Sequence, residues 1–494
     1  MRNRILSATA ICAATLLVPP IPFAAAAGPA ATPAPRGDFN GDGYPDLAVG
    51  VPSAQVGSTA KAGYVQVLWG GPGGAGRHGS VRISQATAGV PGTPEAGDLF
   101  GSAVTAADAD GDRFADLVVG ASSESLSTDP QAEHGTVTVL RGSAAGFADG
   151  YTVARGDGPF SRIGSVLAAG DVTGDGRTDL ALGRSGEEHS GVVLRPGPLT
   201  AAAPDTLTGE VVGADFGRQP SLATGDFDGD GDDDLALSVS ATETRFTRVY
   251  RWRDGAPVPW WSTTASAVSL AAGDFDGDGT DDLALGACYP NYEDDRPACA
   301  DYTTGRAETF TGGLVHIAYG SASGGFGTRT QDLHQDTPGV AGTAETEDRL
   351  GTALAAADVD GDGYADLAVG DPYEAVGARP EAGSVLLVQG TGTGLLSASG
   401  TATSRAFSQS TAGVPGTAEQ GDRFGAAVVL QDHDADGHVD LATGAPGENA
   451  ASGGVWLLPG TPQGPTATGS RALTPRSLGL PTGALEYGRV LGLG

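Results

Sequence analysis

Short apolar runs separated by glycine-rich polar turns recur along the chain. The runs at 46–50 (Asp-Leu-Ala-Val-Gly), 63–69 (Gly-Tyr-Val-Gln-Val-Leu-Trp) and 80–84 (Ser-Val-Arg-Ile-Ser) are rich in β-branched residues or alternate between apolar and polar residues. Runs of this length that end at Gly or Pro are typical of β-strands. Similar runs follow at 116–120 and 366–370. No long amphipathic helical pattern competes with them, so the sequence predicts an all-β protein.

A polar segment leads directly into many of these runs. Residues 358–366 read Asp-Val-Asp-Gly-Asp-Gly-Tyr-Ala-Asp, with carboxylates at positions 1, 3, 5 and 9 and Gly363 at position 6. Glycine suits a sharp turn at that position, and the carboxylate spacing matches the front half of a calcium-binding loop. An EF-hand loop is longer and ends in Glu, whereas this segment ends in Asp366 and continues as a strand. The pattern therefore predicts an ion held in a turn between two strands.

The segment occurs seven times, beginning at Asp38, Asp108, Asp171, Asp226, Asp274, Asp358 and Asp432. Successive starts are 70, 63, 55, 48, 84 and 74 residues apart, a period that fits one small antiparallel sheet with variable loops. An alternative interpretation is that the segments are ordinary Asp- and Gly-rich hairpin turns. The carboxylates keep fixed offsets while the flanking residues vary, which favours metal-binding loops.

A further strand precedes most loops and opens with an aromatic or aliphatic residue followed by Gly. Its first residue stands eight positions before the first Asp of the loop, at Phe100-Gly101, Ile163-Gly164, Leu350-Gly351 and Phe424-Gly425. One repeat is then a strand, a calcium loop and three more strands. Seven such repeats predict a seven-bladed β-propeller of four-stranded antiparallel blades over residues 37–494.

The first loop has no opening strand, because Asp38 follows a stretch rich in Pro and Ala. A matching opening, Tyr487-Gly488, stands near the C-terminus and is followed by the apolar residues of 490–493. We expect this C-terminal strand to join the N-terminal blade and to close the ring. Closure of this kind removes the exposed edges that an open array of sheets would leave.

The chain is strongly acidic, with 60 Asp and Glu against 28 Lys and Arg and a formal charge of −32. Twenty-six of the acidic residues are Asp at the carboxylate positions of the seven loops. Seven divalent cations would add +14 to the charge of −32 and leave −18. The remaining negative charge argues against nucleic acid or an anionic membrane as a partner.

The N-terminus has the pattern of an export signal. Positive charge at Arg2 and Arg4 is followed by an apolar region and by small residues near Ala26 and Ala27, so residues 1–27 are predicted to be a secretory signal peptide. Residues 28–36 are predicted to be a flexible segment. No later apolar run is long enough to span a bilayer, and we expect a secreted, extracellular protein.

The two cysteines of the predicted mature chain, Cys288 and Cys299, lie in one polar loop. In an oxidising compartment they are expected to form a local disulfide bond. The alternative is a pair of free thiols. The loop from Gly286 to Gly312 also carries several tyrosines, which suits contact with a partner.

These residues resemble the FG-GAP repeat family, which includes the N-terminal propeller of integrin α subunits. Phe100-Gly101 and Phe424-Gly425 correspond to the "FG", the seven Asp segments to the calcium loops, and Gly444-Ala-Pro446 to the "GAP". Repeats four and five depart from the family, since their nearest "FG", Phe216-Gly217, is out of register. The resemblance implies a calcium-binding, adhesion-type propeller with ligand contacts on the face opposite the calcium loops.

The loop geometry assigns metal ligands to the side chains at positions 1, 3, 5 and 9 and to the carbonyl at position 7. The predicted ligands are Asp38, Asn40, Asp42, Tyr44 and Asp46; Asp108, Asp110, Asp112, Phe114 and Asp116; Asp171, Thr173, Asp175, Arg177 and Asp179; Asp226, Asp228, Asp230, Asp232 and Asp234; Asp274, Asp276, Asp278, Thr280 and Asp282; Asp358, Asp360, Asp362, Tyr364 and Asp366; and Asp432, Asp434, Asp436, His438 and Asp440.

Several loops depart from the pattern. Thr173 removes a charge from the third loop, and Arg113 places a cation and a side chain at position 6 of the second, so these two loops are expected to bind calcium last. Ala435 replaces Gly at position 4 of the seventh loop. His433 and His438 in that loop are interpreted as surface residues.

The expected function is that of a secreted, monomeric binding module for an extracellular protein or carbohydrate. No G-x-S-x-G, H-E-x-x-H or phosphate-loop motif occurs, so no catalytic residue is predicted. One alternative is a secreted hydrolase or lyase acting on polysaccharide or phospholipid. Another is a structural scaffold without a specific ligand.

Overall fold

Four-stranded antiparallel sheets follow one another along the chain and are arranged as the blades of a propeller. The structure, a computed structural model, describes residues 37–127, 129, 132–185, 190–199, 210–214, 220–240, 245–286, 311–322 and 325–492. Within these residues the strands form seven sheets. The predicted all-β, seven-bladed fold is therefore confirmed.

The blades are numbered from the N-terminus, and each takes its strands in chain order except blade one. Blade one contains β28 (Val490–Gly492), β1 (Leu47–Val51), β2 (Tyr64–Leu68) and β3 (Ser80–Ile83); blade two contains β4 (Phe100–Ala107), β5 (Asp116–Ala121), β6 (Thr136–Leu140) and β7 (Gly150–Arg155); and blade three contains β8 (Leu167–Gly170), β9 (Asp179–Ser185), β10 (Ser190–Arg195) and β11 (Glu210–Ala214).

The remaining four blades follow the same order. Blade four contains β12 (Ser221–Gly225), β13 (Asp234–Ser240), β14 (Arg245–Arg253) and β15 (Ala256–Thr263); blade five contains β16 (Ser269–Gly273), β17 (Asp282–Gly286), β18 (Val315–Ala318) and β19 (Thr330–Leu333); blade six contains β20 (Ala353–Ala357), β21 (Asp366–Asp371), β22 (Ser384–Val388) and β23 (Ser404–Phe407); and blade seven contains β24 (Ala427–Gln431), β25 (Asp440–Ala445), β26 (Gly454–Leu458) and β27 (Arg471–Leu473).

The ring closes through the C-terminal strand. β28 pairs antiparallel with β1, with Val49 opposite Leu491 and Ala48 opposite Gly492. Blade one therefore combines residues from both ends of the chain, as the sequence predicted. The pairing supplies the edge partner that β1 would otherwise lack.

The hydrophobic cores lie between neighbouring blades. Leu47 of blade one packs in one cluster with Val429 and Val455 of blade seven, and Ile317 of blade five packs in another with Val369 of blade six. A fully buried aliphatic side chain contributes roughly 1.5–3 kcal/mol to folding. Because the clusters lie between blades, they stabilise the ring as well as the individual sheets.

The glycines of the "FG" and "GAP" segments allow neighbouring blades to approach closely. A Cβ atom on Gly370 of blade six would collide with the carbonyl oxygen of Gly425, which opens blade seven with φ of 91°. Phe424 also forms a parallel bridge with Gly383 of blade six. Sequence reasoning placed the "FG" residues at the start of a strand, yet Phe424-Gly425 precedes β24 and contacts the preceding blade.

Two features complete the described fold. A short turn, α1 (Glu448–Ala451), follows β25 and contains left-handed residues at Asn449 and Ala450. Blades four and five have regular first strands although they lack a clear "FG". Among the described residues, no helix has the length and apolar character needed to cross a membrane.

Some sequence predictions concern residues that the structure does not describe. These are the signal peptide at 1–27, the segment at 28–36, the Phe216-Gly217 pair, and the Cys288–Cys299 disulfide with most of its loop. All of them lie outside the described residues and stay predictions.

Candidate metal sites

The first Asp of each loop is the centre of the turn. In the sixth loop, Oδ1 of Asp358 accepts the N–H groups of Gly361 at 2.7 Å and Asp362 at 3.1 Å, and Oδ2 accepts the N–H of Gly363 at 2.9 Å. A carboxylate that holds three successive amides winds the backbone around itself. The same three hydrogen bonds occur in the loops that begin at Asp38, Asp226 and Asp274.

The ninth Asp anchors the loop to the blade. Oδ2 of Asp366 accepts the N–H of Val359 at 3.0 Å, and Oδ1 accepts the N–H of Gly390, beyond β22, at 2.8 Å. Asp46, Asp116, Asp282 and Asp440 make the corresponding pairs of hydrogen bonds. Burial raises the pKa of Asp46, Asp116, Asp366 and Asp440 to about 7 and the pKa of Asp234 and Asp282 to about 8.

Carboxylates from distant loop positions converge. One oxygen from each of the first, third and ninth residues lies within 4.8 Å of the others in the loops that begin at Asp108, Asp274 and Asp358. The first, third and fifth residues do so in the loop that begins at Asp226. Clusters of this kind could hold a metal ion, because like charges this close require neutralisation.

Buried oxygens in the loops fit a cation. Oδ1 of Asp360, Oδ1 of Asp434 and Oδ2 of Asp234 are buried and have no hydrogen bond partner. A buried acceptor without a donor is costly unless something else satisfies it. All the donors in the clusters are oxygens, and oxygen ligands suit a hard cation such as Ca²⁺.

The seventh residue of each loop donates its backbone N–H to the carboxylate at position 5. This hydrogen bond is made by Tyr44, Phe114, Arg177, Asp232, Thr280, Tyr364 and His438. It fixes the backbone at the point where the carbonyl was predicted to be a ligand. The part of that carbonyl in metal binding stays a prediction.

Arginines lie beside several loops, and the sequence analysis did not identify them. Arg251 is 2.9 Å from Asp228, Arg253 is 2.8 Å from Asp230, and Arg329 pairs with Asp276. In the sixth loop the corresponding neighbour is neutral, since Gln389 donates to Asp360 at 2.8 Å. Loops four and five therefore have an arginine beside their carboxylates that loop six lacks, although all three loops have Asp at positions 1, 3, 5 and 9.

The departures from the loop pattern are accommodated locally. Arg113 adopts φ of 79° and Ala435 adopts φ of 52°, so both take the left-handed conformation that glycine takes in the other loops. Oδ1 of Asn40 accepts the N–H of Asp42 at 2.9 Å, and Thr173 donates its N–H to Asp179 at 2.7 Å. The second and seventh loops thus keep the left-handed backbone at the substituted positions, whereas in the third loop the ninth Asp accepts the N–H of position 3 and not that of position 2.

Adjacent loops are hydrogen bonded to one another around the ring. The N–H of Ala115 in the second loop donates to the carbonyl of Asp38 in the first at 3.1 Å. The N–H of Ala365 in the sixth loop donates to the carbonyl of Asp274 in the fifth at 2.8 Å. The same bond links the fourth loop to the third and the fifth to the fourth. Each of these bonds joins position 8 of one loop to position 1 of the preceding loop.

The junction between the seventh and first loops uses a histidine. Position 8 of the first loop is Pro45, which has no N–H to donate. Nδ1 of His433 lies 3.0 Å from the carbonyl oxygen of Pro45, so Nδ1 carries the donated proton. The interpretation of His433 as a surface residue is wrong: its exposed fraction is 0% because it lies inside this junction. His438 is half-buried.

Comparisons with known proteins agree with the repeat pattern. The FG-GAP repeat matches residues 35–68, 100–140, 163–194 and 350–388, and the FG-GAP-like repeat matches 226–285. Phosphatidylinositol-glycan-specific phospholipase D from Bos taurus is 34% identical over 120 residues, and the enzyme from Rattus norvegicus is 33% identical over 120 residues. Each match covers 24% of this chain and 14% of the relative's length.

Solved structures show a more distant similarity. An exotype rhamnogalacturonan lyase, YesX, aligns with a TM-score of 0.32 and 12% identity over 86% of this chain and 85% of its own. A protein from Lactobacillus plantarum aligns with a TM-score of 0.39 and 10% identity over 87% of this chain and 99% of its own. Both TM-scores are low, so neither similarity informs on function.

The family matches fall on blades one to six: each FG-GAP match includes one predicted calcium loop, and the FG-GAP-like match includes two, those that begin at Asp226 and Asp274. The glycines of the "FG" and "GAP" segments contact each other between blades, where a Cβ atom would collide with backbone atoms. These contacts explain why both segments contain glycine. The chain contains FG-GAP repeats and folds as a seven-bladed β-propeller.

Proposed function

We propose that the seven loops bind calcium ions that stabilise the propeller. The observation that carries this proposal is that loop carboxylates lie within 4.8 Å of one another. They do so in a turn whose backbone N–H groups already donate to the first Asp. A bound Ca²⁺ supplies positive charge that neutralises these carboxylates and satisfies the buried oxygens. The ligands are the oxygens at positions 1, 3, 5 and 9 and the carbonyl at position 7.

We further propose that the protein is an exported binding or adhesion-type module for an extracellular protein or carbohydrate. The predicted signal peptide supports export, and the FG-GAP family supports binding through the face opposite the calcium loops. In an antiparallel blade the turn after the second strand and the link to the next blade both lie on that face. Surface features of these connections are therefore candidates for ligand contact.

Two large apolar side chains are exposed on this face. Leu126 follows β5 and Phe160 follows β7, and each has an exposed fraction of 41%. The segments that carry them are joined, because Phe160 donates its N–H to the carbonyl of Ala132 at 2.5 Å and Ile163 donates to His134 at 3.1 Å. Exposed apolar side chains on a fixed support suit recognition of a partner.

A binding experiment tests this proposal. The mature protein would be applied to arrays of extracellular proteins and glycans with calcium and with a chelator. We expect retention that requires calcium and that falls at least tenfold in the Leu126→Ala, Phe160→Ala double variant. Val258→Ala is the control, since Val258 is equally exposed, at 45%, but lies on the outer strand β15.

The enzyme and scaffold alternatives give different outcomes in the same study. The local similarity to a phosphatidylinositol-glycan-specific phospholipase D favours testing the enzyme alternative. Turnover of a phospholipid or polysaccharide by the purified protein would replace the binding proposal with a hydrolase or lyase. The absence of both retention and turnover would leave a structural scaffold.

A further inference from the structure

Three nearly identical connections link neighbouring blades on the face opposite the calcium loops. Each carries a Gln that donates to a Glu of the next blade: Gln85 to Glu124 at 2.7 Å, Gln335 to Glu374 at 2.6 Å and Gln409 to Glu448 at 2.6 Å. Each also carries an Asp that accepts an N–H within its own connection: Asp98 from Glu95, Asp348 from Glu345 and Asp422 from Glu419.

Blade six adds a third carboxylate to this arrangement. Asp371, at the end of β21, stands where blade two has Ala121 and blade seven has Ala445. One oxygen from each of Asp348, Asp371 and Glu374 lies within 4.8 Å of the others. Asp348 and Asp371 have exposed fractions of 1% and 0%, and Glu374 is half-buried, so two buried acids and a half-buried one form the cluster.

The cluster contains buried oxygens without donors. Oδ1 of Asp371 accepts the N–H of Arg349 at 2.9 Å, but Oδ2 is buried without a hydrogen bond partner. Gln335, which is 6% exposed and donates to Glu374, has a buried Oε1 without a partner, as do the equivalent Gln85 and Gln409, so the feature that distinguishes blade six is Oδ2 of Asp371. A buried acceptor without a donor is unusual, because buried polar groups are normally hydrogen bonded.

No arginine or lysine of the described residues forms an ion pair with the cluster. The nearest charged neighbour in sequence, Arg349, instead places its guanidinium over the ring of Tyr373, 4.1 Å from its centroid. Three close carboxylates, two of them buried and none with a basic partner, must be neutralised either by bound protons or by a cation.

We propose that Asp348, Asp371 and Glu374 hold one divalent cation of the calcium type, in addition to the seven loop ions. Carboxylate oxygens are ligands for a hard cation. The ion joins the connection from blade five to the turn that carries Tyr373. The sister clusters in blades two and seven have only two carboxylates and hold no ion.

The sister clusters provide a matched control. Asp348→Asn and Asp422→Asn change the same position in two copies of one connection and keep an acceptor for the same backbone N–H. Asp371→Ala introduces the residue that Ala121 and Ala445 already provide at that position. Asp348→Asn and Asp422→Asn are therefore a matched pair, whereas Asp371→Ala also removes the acceptor of the Arg349 N–H.

The number of bound calcium ions is measured by equilibrium dialysis on the full mature chain. We expect Asp348→Asn and Asp371→Ala to bind one ion fewer than the unmodified protein, and Asp422→Asn to bind the same number. Equal numbers in all four proteins would overturn the proposal and assign the cluster to shared protons. A loop variant, Asp360→Asn, reports separately on the loop ions.

Thermal unfolding separates ion binding from a folding defect. In chelator we expect Asp371→Ala to be at least as stable as the unmodified protein, because it removes an uncompensated buried charge. Added calcium should raise the Tm of the unmodified protein more than that of Asp371→Ala. An equal calcium-induced rise in Tm for the two proteins would contradict the proposal.

Discussion

At the scale of the residue, the Asp residues of one loop have different structural roles, which the repeated sequence pattern does not distinguish. Asp358 winds the turn by accepting three amides, whereas the buried Asp366 ties the turn to the third strand. The carboxylate at position 3 is the most sensitive to its surroundings, because its neighbour is Arg251 in loop four and the neutral Gln389 in loop six. We therefore expect loops with the same pattern of Asp residues to differ in calcium affinity according to the charge of the side chain beside position 3.

We predict that Arg251→Gln strengthens calcium binding at loop four. Arg251 lies 2.9 Å from Asp228, and both side chains are mostly buried, so the arginine competes with the ion for that carboxylate. Loss of the pair is worth about 1 kcal/mol, or about a fivefold gain in affinity. Calcium titration calorimetry checks the prediction.

The control for this variant is Arg248→Gln in the same strand, because the Arg248 guanidinium lies over the ring of Phe246 and not beside a loop. Unchanged affinity in Arg251→Gln, or an equal gain in both variants, would show that the arginine does not compete with calcium.

At the scale of the element, hydrogen bonds connect neighbouring loops. Bonds from position 8 of one loop to position 1 of the preceding one join the second loop to the first, and the third, fourth, fifth and sixth loops in series. An ion that orders one loop should therefore favour binding in the next. At the junction of the last and first loops, His433 takes over this link from an amide that Pro45 cannot provide.

We predict that His433→Ala lowers the stability of the propeller by about 1–3 kcal/mol, the usual cost of a buried acceptor left without its donor. It should also weaken calcium binding in the first and seventh loops. Denaturant unfolding with calcium measures the first effect. His438→Ala, in the same loop but half-buried, is expected to change stability much less. Equal losses in the two variants would contradict a special role for the junction.

Sequence reasoning succeeded where a feature depends on neighbours in the chain. The loops, the strands that follow them and the closing strand near Tyr487 all repeat at fixed offsets, so one chain was enough to predict them. Sequence reasoning failed where the two residues in contact are separated by a different number of residues in each repeat. Arg329 reaches Asp276 from 53 residues away, whereas Gln389 reaches Asp360 from 29 residues away. No fixed spacing in the sequence reports such contacts.

At the scale of the whole molecule, the ring depends on one short strand. β28 gives blade one its first strand and covers the edge of β1. The first strands of neighbouring blades contact one another around the ring, and β28 contacts both β4 and β24. Loss of β28 would therefore weaken two blade interfaces at once.

We predict that a chain ending at Arg489 is destabilised by about 3 kcal/mol or more, from lost pairing and apolar burial. It should also aggregate more readily, because the edge of β1 is exposed. Thermal unfolding and light scattering measure these effects. A chain ending at Gly492 keeps β28 and is the control. If both chains were as stable as the full protein, the closing strand would not hold the ring.

The most direct test of the calcium account is thermal unfolding of the mature protein with excess calcium and with a chelator, together with a count of bound ions. We predict about five or more bound ions and a large rise in Tm with calcium, since ions that bind only the folded chain stabilise it. No bound calcium and no change in Tm would contradict the account, and the buried loop carboxylates would then be neutralised by protons and arginines.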